Sequence, residues 1–166
     1  TSTIPAIDYI DFNYENCPYG IGLGAVSTEH SVMSANFAVD GDEISFVKRA
    51  LTELYPNTSF SMVSDTYDYW NMIDNIFPAC KKEIMEHNGK LLVRPDSGDI
   101  VEISINTVLK LWNTFGGTVN SKGYKVLNSH IGIIYGDGCT LEKIEQIWSE
   151  LDKAGFAADN IVFGVG

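Results

Sequence analysis

Cations are what this sequence of 166 residues has least of: Lys and Arg together number 11 against 22 Asp and Glu, and only two of them, Arg49 and Arg94, are arginines. The formal net charge of −11 argues against nucleic acid as a partner, because phosphate-backbone binding needs clustered basic side chains. Long apolar runs are also missing. None approaches the roughly 18 residues of a membrane span, and no signal-peptide pattern opens the sequence. Cysteine is scarce: Cys17, Cys80 and Cys139 are odd in number, far apart and form no metal-ligand pair. That usage predicts reduced thiols in a cytosolic setting, with packing as their role. What is present, 45% hydrophobic and 20% charged residues, describes a soluble globular protein long enough for one ordinary domain and a sizeable core. The first residue is Thr rather than Met, and the last six read IVFGVG. An apolar run stopping in mid-strand is expected of a piece of something longer, so residues 1–166 read as one partial domain.

Five short apolar runs predict strands: GAVS (24–27), FSMV (60–63), LLV (91–93), IGIIY (131–135) and IVF (161–163). Between them the apolar spacing is helical. Ile103, Val108, Leu109, Leu111 and Trp112 mark one helix; Leu141, Ile144, Ile147, Trp148 and Leu151 mark another, opened by Thr140 and stopped at Gly155. Glu43–Tyr55 and Tyr67–Ile84 read as two more, and Ile4, Ile7 and Ile10 as a helix before the first strand, with Thr3 as its cap. Strands alternating with crossover helices give a parallel α/β sheet, open or closed into a barrel. Two segments interrupt the repeat: residues 13–24, a turn-rich connection, and residues 113–130, long and polar, which read as an insertion or lid.

Chemistry collects where the strands stop. Thr28-Glu29-His30 follows the first, Ser64-Asp65 the second, Arg94-Pro95-Asp96-Ser97-Gly98 the third, Gly136-Asp137-Gly138 the fourth and Gly164-Val165-Gly166 the fifth. Parallel α/β folds bind ligands at the carboxyl ends of their strands. Each residue has a plainer reading. Asp65 could cap the helix near Tyr67, the Gly-Asp-Gly could be an ordinary turn, and His30 could be a surface histidine. Glu29 could be a hydrogen-bond partner or a helix-start acid, and Arg94 could pair internally with Asp96 or Asp137. Taken together they form a chemically coherent set. Glycine N–H groups can line an anion nest, and an Arg fork binds a diphosphate bidentately. Acids in excess of cations suit Mg²⁺ bridging substrate phosphates, and other acids can bond ribose hydroxyls. A His there can donate to an anion, act as a base or accept a phosphate. The set suits a phosphorylated sugar with a diphosphate leaving group.

The segments TEHSVMSA (28–35), VSDTYDYWN (63–71), LLVRPDSGD (91–99), NSKGYKVL (120–127), IYGDG (134–138) and NIVFGVG (160–166) occur in the order and spacing of one family. With TIPAIDYI (3–10) before them, they make the sequence resemble the nicotinamide phosphoribosyltransferases, type II phosphoribosyltransferases, over essentially its whole length. The resemblance implies an α/β fold with parallel strands and crossover helices, part of an incomplete (β/α) barrel. It implies transfer of phosphoribosyl from 5-phosphoribosyl-1-diphosphate to nicotinamide, giving nicotinamide mononucleotide and diphosphate, in a cytoplasmic homodimer using Mg²⁺ and hydrolysing ATP. By motif, His30 is the phosphorylated, diphosphate-contacting histidine, and Arg94 binds diphosphate and nucleotide. Asp96 and Asp137 hold ribose with Gly136 alongside, Asp65 lies on the diphosphate and metal side, and Asp96 shares the metal. Gly166 begins the glycine pair that holds the 5′-phosphate. His30, Arg94 and Asp96 are the implied catalytic residues.

The sequence departs from the family at its edges. Val165 stands where Ser is common, and the second glycine, the basic residues beyond it, the acid selecting the amide and the aromatic residues sandwiching the ring are absent. On its own the segment is expected to be inactive. Rival readings are a nicotinate-preferring relative, a sugar-phosphate lyase or isomerase barrel, and a scaffold that kept the fold without the chemistry. The second would need a Schiff-base Lys or a paired acid and base at strand ends, and no lysine directly follows one of the five runs.

Overall fold

Runs of Ile, Val, Leu, Met and Phe suit strands covered on both sides, where branched and bulky side chains pack on the pleated surface. The computed structural model describes residues 3–14, 26–136 and 138–164. Along the chain it forms α1 (Thr3–Asn13), β1 (Val26–Ser27), α2 (His30–Asp40), α3 (Glu43–Arg49) and β2 (Phe60–Val63). There follow α4 (Tyr69–Asn71), α5 (Phe77–Ala79), α6 (Lys81–Glu86), β3 (Leu91–Arg94) and α7 (Ile100–Phe115). Last come β4 (Gly117–Val119), β5 (Lys125–Leu127), β6 (Ile131–Tyr135), α8 (Leu141–Lys153) and β7 (Ile161–Phe163). Single π-helical turns extend α3 over Ala50–Leu54 and join α4 to α5 over Met72–Ile76.

The main sheet has the order β1-β2-β3-β6-β7, and every neighbouring pair is parallel. This is the α/β arrangement with crossover helices that the sequence predicts. Five strands fall short of the eight or so that close a barrel. Register puts Phe60, Leu91 and Ile131 in one row and Val93, Ile133 and Ile161 in another, all buried on one face. The opposite face is smaller and more polar: Ser27, Ser61, Leu92 and Gly132 lie on it, and Arg94 ends it beside Val63. Asp42, Asp68, Asp99 and Thr140 cap α3, α4, α7 and α8 by accepting backbone N–H bonds, so the termini are set locally.

Four local expectations need correction. Thr3 is the first residue of α1 rather than its cap. α2 is a helix that apolar spacing does not announce, since only Met33 on it is buried. Leu109 of α7 is exposed; Val108 and Leu111 are buried as expected, and the buried stripe also takes in Ile100, Ser104, Thr107 and Phe115. Residues 113–130 are no lid. α7 runs on to Phe115, and β4 and β5 form an antiparallel hairpin leading into β6, at the amino end of the sheet. Asn160 fixes that hairpin: its Oδ1 accepts from Leu127 N at 2.7 Å, and its Nδ2 donates to the carbonyls of Lys125 (2.9 Å) and Ala157 (2.8 Å). Cys80 is buried, and burial pushes its thiol up to about 11, which suits packing rather than nucleophilic chemistry. Cys17 and most of the 13–24 connection lie outside the described residues.

Candidate active site

Because all five strands run the same way, the residues after each strand gather at one end. The ladders carry each chain to that end: Thr28 N donates to Ser61 O at 2.9 Å, and Ser64 N to Arg94 O at 3.0 Å. Asp65 is the first residue past β2's ladder and turns toward the β3–α7 turn rather than toward α4, which Asp68 caps. Its Oδ2 accepts from Asp96 N at 3.0 Å and from the Ser97 hydroxyl at 2.6 Å. Gly98 makes that turn possible. Its φ is +84°, and a Cβ there would collide with Ile103 Cδ1.

His30 starts α2 over this turn. Its Nδ1 shares a hydrogen bond with Thr66 Oγ1 at 3.0 Å. Its Nε2 faces two carboxylates, Asp96 Oδ2 at 3.4 Å and Asp65 Oδ1 at 3.9 Å. Arg94, with 15% of its side chain exposed, directs its fork at Glu29: Nη2 lies 3.0 Å from Oε2 and Nη1 3.5 Å from Oε1. Nη1 also donates to Ser27 Oγ, which accepts a second bond from the buried Ser61 hydroxyl at 2.8 Å. The internal partner of Arg94 is thus Glu29 first and Asp96 second, with Nε 4.0 Å from Asp96 Oδ1.

Two buried atoms in this cluster have no hydrogen bond, Asp65 Oδ1 and Arg94 Nε. Buried polar groups are nearly always bonded, so an acceptor and a donor left over at one strand end point to something that binds there. The Glu29 carboxylate is 61% exposed, and an ion pair so open to water contributes little and is readily exchanged for a ligand anion. Three acids, Glu29, Asp65 and Asp96, surround the two basic groups. An anionic ligand therefore fits best with a cation accompanying it. Among the described residues no set of three or more His, Cys, Asp or Glu is placed to hold a metal ion unaided. Mg²⁺ is ordinarily held by one or two carboxylates with substrate phosphates and water completing the shell. Asp65, with its orphaned oxygen, and Asp96 fit that donor set.

Of the residues singled out in the sequence, His30, Asp65, Arg94 and Asp96 come together in direct or near contact. Gly136 is exposed at the same end beyond β6, where Gly164 N donates to Tyr135 O at 2.8 Å and Gly164 packs against the Gly136 backbone. Asp137 and Gly166 lie outside the described residues, as does Val165. Sequence reasoning missed Ser27, Thr66, Ser97 and Tyr135. Thr66 and Ser97 adjoin Asp65 and Asp96 in the chain, which was a usable signal. Ser27 and Tyr135 read only as strand residues. At the opposite end, a groove between the hairpin and α8 is lined by Tyr124, Trp148, Asp152 and Phe156. Tyr124 there already donates to Asp152 at 2.6 Å, and no histidine or arginine faces the groove.

Similarity to known proteins falls on this same region. The chain is 36% identical over 185 residues to the nicotinamide phosphoribosyltransferase of Acinetobacter baylyi, an alignment covering 100% of this chain and 36% of that protein. The nicotinamide phosphoribosyltransferase of Mycoplasma pneumoniae is 44% identical over 156 residues, 85% of this chain and 34% of its own length. That of Mycoplasma genitalium is 41% identical over 155 residues, 85% of this chain and 33% of its own. The chain thus spans about a third of the length of these curated relatives. The family model described as nicotinate phosphoribosyltransferase (NAPRTase) matches residues 16–166, taking in every strand end at which the site residues stand. With the parallel sheet and the clustered His, Arg and Asp side chains, this match means that the chain belongs to the nicotinate phosphoribosyltransferase (NAPRTase) family.

Proposed function

We propose that these residues belong to the incomplete α/β barrel domain of a longer enzyme, which transfers phosphoribosyl from 5-phosphoribosyl-1-diphosphate to nicotinamide and releases nicotinamide mononucleotide and diphosphate. The observation that carries this reading is the convergence of His30, Asp65, Arg94 and Asp96 at one strand end, with Asp65 Oδ1 and Arg94 Nε buried and unbonded. In it, the planar Arg94 fork exchanges Glu29 for the diphosphate. Asp96, with Asp137 and Gly136, bonds the ribose hydroxyls, and Gly166 approaches the 5′-phosphate. Mg²⁺, held by Asp65 and Asp96, would offset the charge of the departing diphosphate. His30 accepts the γ-phosphoryl group of ATP on a ring nitrogen, with ADP leaving. Holding its ring between Thr66 and two acids keeps that nitrogen in a fixed direction. The relatives' names support nicotinamide as the acceptor, whereas the family description favours a second reading in which nicotinate is the acceptor.

A homodimer and a cytoplasmic location belong to the same proposal. The free thiol of Cys80 supports the location. No helix among the described residues is long and apolar enough to cross a membrane. The test is to incubate the full-length protein with 5-phosphoribosyl-1-diphosphate, Mg²⁺ and either base. Nicotinamide mononucleotide formed in preference to nicotinate mononucleotide supports the proposal. The reverse preference replaces it with the second reading, and formation of neither rejects both.

A further inference from the structure

We infer that Ser97 and Tyr135 are a positioning pair that fixes the orientation in which the Asp65 carboxylate faces the site. This deepens the proposed function and rests on it. A free aspartate carboxylate rotates easily, because its terminal torsion has a broad, two-fold preference. Asp65 cannot do so, because Oδ2 accepts two bonds from one turn, the Asp96 N–H and the Ser97 hydroxyl. Oδ1 is thereby aimed at His30 Nε2, buried and without a hydrogen bond. The Ser97 hydroxyl can reach Oδ2 only while its own backbone is held. Tyr135 holds it: the tyrosine is 2% exposed, and its hydroxyl donates to the Ser97 carbonyl at 3.0 Å. The Tyr135 carbonyl in turn accepts from Gly164 N at 2.8 Å. One buried residue therefore ties the ends of β6 and β7, through its carbonyl, to the β3–α7 turn, through its hydroxyl, and the turn holds the carboxylate facing His30. Both hydroxyls are engaged with the protein, one on Asp65 and one on Ser97, so both act through Asp65.

Variants of the full-length protein test this in three readouts: initial rate, calorimetric affinity for magnesium diphosphate, and melting temperature. Ser97→Ala is expected to lower kcat by about 10-fold, the size of one hydrogen bond to a charged group, with KM for nicotinamide unchanged. Ser97→Thr keeps the hydroxyl and is expected to stay within about two-fold of the parent protein, whereas Tyr135→Phe should lose about three-fold. Because both act through one carboxylate, the double variant Ser97→Ala/Tyr135→Phe should lose about 10-fold, not the roughly 30-fold of independent effects. Magnesium diphosphate affinity should fall in the same order. Multiplicative losses, a Ser97→Thr variant as poor as Ser97→Ala, or unchanged rates and affinities in Ser97→Ala would each overturn the inference. Should Ser97→Ala not fold, magnesium diphosphate affinity in Tyr135→Phe decides: a loss supports the pair and parental affinity rejects it. If the parent protein transfers to neither base, the proposed function fails. The diphosphate series still decides whether Ser97 and Tyr135 position Asp65.

Discussion

Asn160 and Arg94 sit at opposite ends of the same parallel sheet, each with a side chain that can make several hydrogen bonds. Asn160 is 3% exposed and spends both ends of its amide on the backbone of the β4–β5 hairpin and the turn before β7. Arg94 is half-buried, yet its buried Nε finds no hydrogen bond and its fork rests on a carboxylate that is mostly in water. A saturated buried group specifies structure, because removing it strands its partners. An unsaturated one beside exchangeable partners is ready for a ligand. His87 qualifies the rule. Its Nδ1 is also buried and unbonded, near the amino end of β3, but it stacks edge-on against Phe60, and its other nitrogen is bonded to Thr58 O at 3.0 Å. An orphan atom away from the carboxyl ends of the strands, on a ring whose other nitrogen is tied to the backbone, is no part of this cluster.

The sharpest way to break the contrast is to remove a group that only chemistry needs. With ATP, the full-length protein should carry an acid-labile, base-stable phosphate on His30. His30→Ala should abolish both that label and the stimulation by ATP, leaving slow basal transfer. Label persisting in the variant would move the acceptor elsewhere. Next in size is the structural end. Asn160→Ala strands the Leu127 N–H and two carbonyls, at a cost of about 3 kcal/mol. For a domain of this size that lowers the melting temperature by about 6–12 °C, with the rate per folded molecule unchanged. Asp96→Asn keeps the shape and removes a charge. It should reduce kcat/KM by about 10-fold and raise the Mg²⁺ concentration needed for half-maximal rate.

The smallest effect is expected at a helix cap. The N–H bond from Glu102, with the Lys143 charge and the Val101 N–H adding to it, holds the Asp99 carboxyl below the usual range against desolvation. Its folded value lies below its unfolded one, so its stabilisation is complete above the unfolded pKa and is lost as pH falls through the folded value. Melting temperatures taken downward from pH 6 should therefore drop less steeply in Asp99→Ala than in the parent protein.

The strands were legible because each lies in a short apolar run, and β2, β3, β6 and β7 bury residues of theirs in the core, while their parallel order comes from the helices between them. The clustering of Asp65, Arg94, Asp96 and His30 was legible because parallel strands deliver their trailing residues to one end of the sheet. α2 was not legible, since Val39 and Phe37 on it are exposed and its apolar residues form no single stripe. The two π turns leave no mark in composition. The hairpin was misread because its strands are three residues each and its polar loop resembles an insertion. The partner of Arg94 was hidden by distance along the chain, as Glu29 is 65 residues away. The Thr66 bond to His30 spans 36.

Arg94→Lys in the full-length protein, assayed beside Asn160→Ala for initial rate and melting temperature, tests the contrast between the two ends most directly. An ammonium keeps the charge but cannot reproduce the paired bonds of a guanidinium. If the carboxyl end binds diphosphate, Arg94→Lys melts as the parent protein does and loses about 10- to 150-fold in kcat/KM. Asn160→Ala then shows the opposite pattern, early melting with normal turnover. An Arg94→Lys variant that melts early while its folded fraction turns over normally would make Arg94 a structural residue and contradict the assignment of the site.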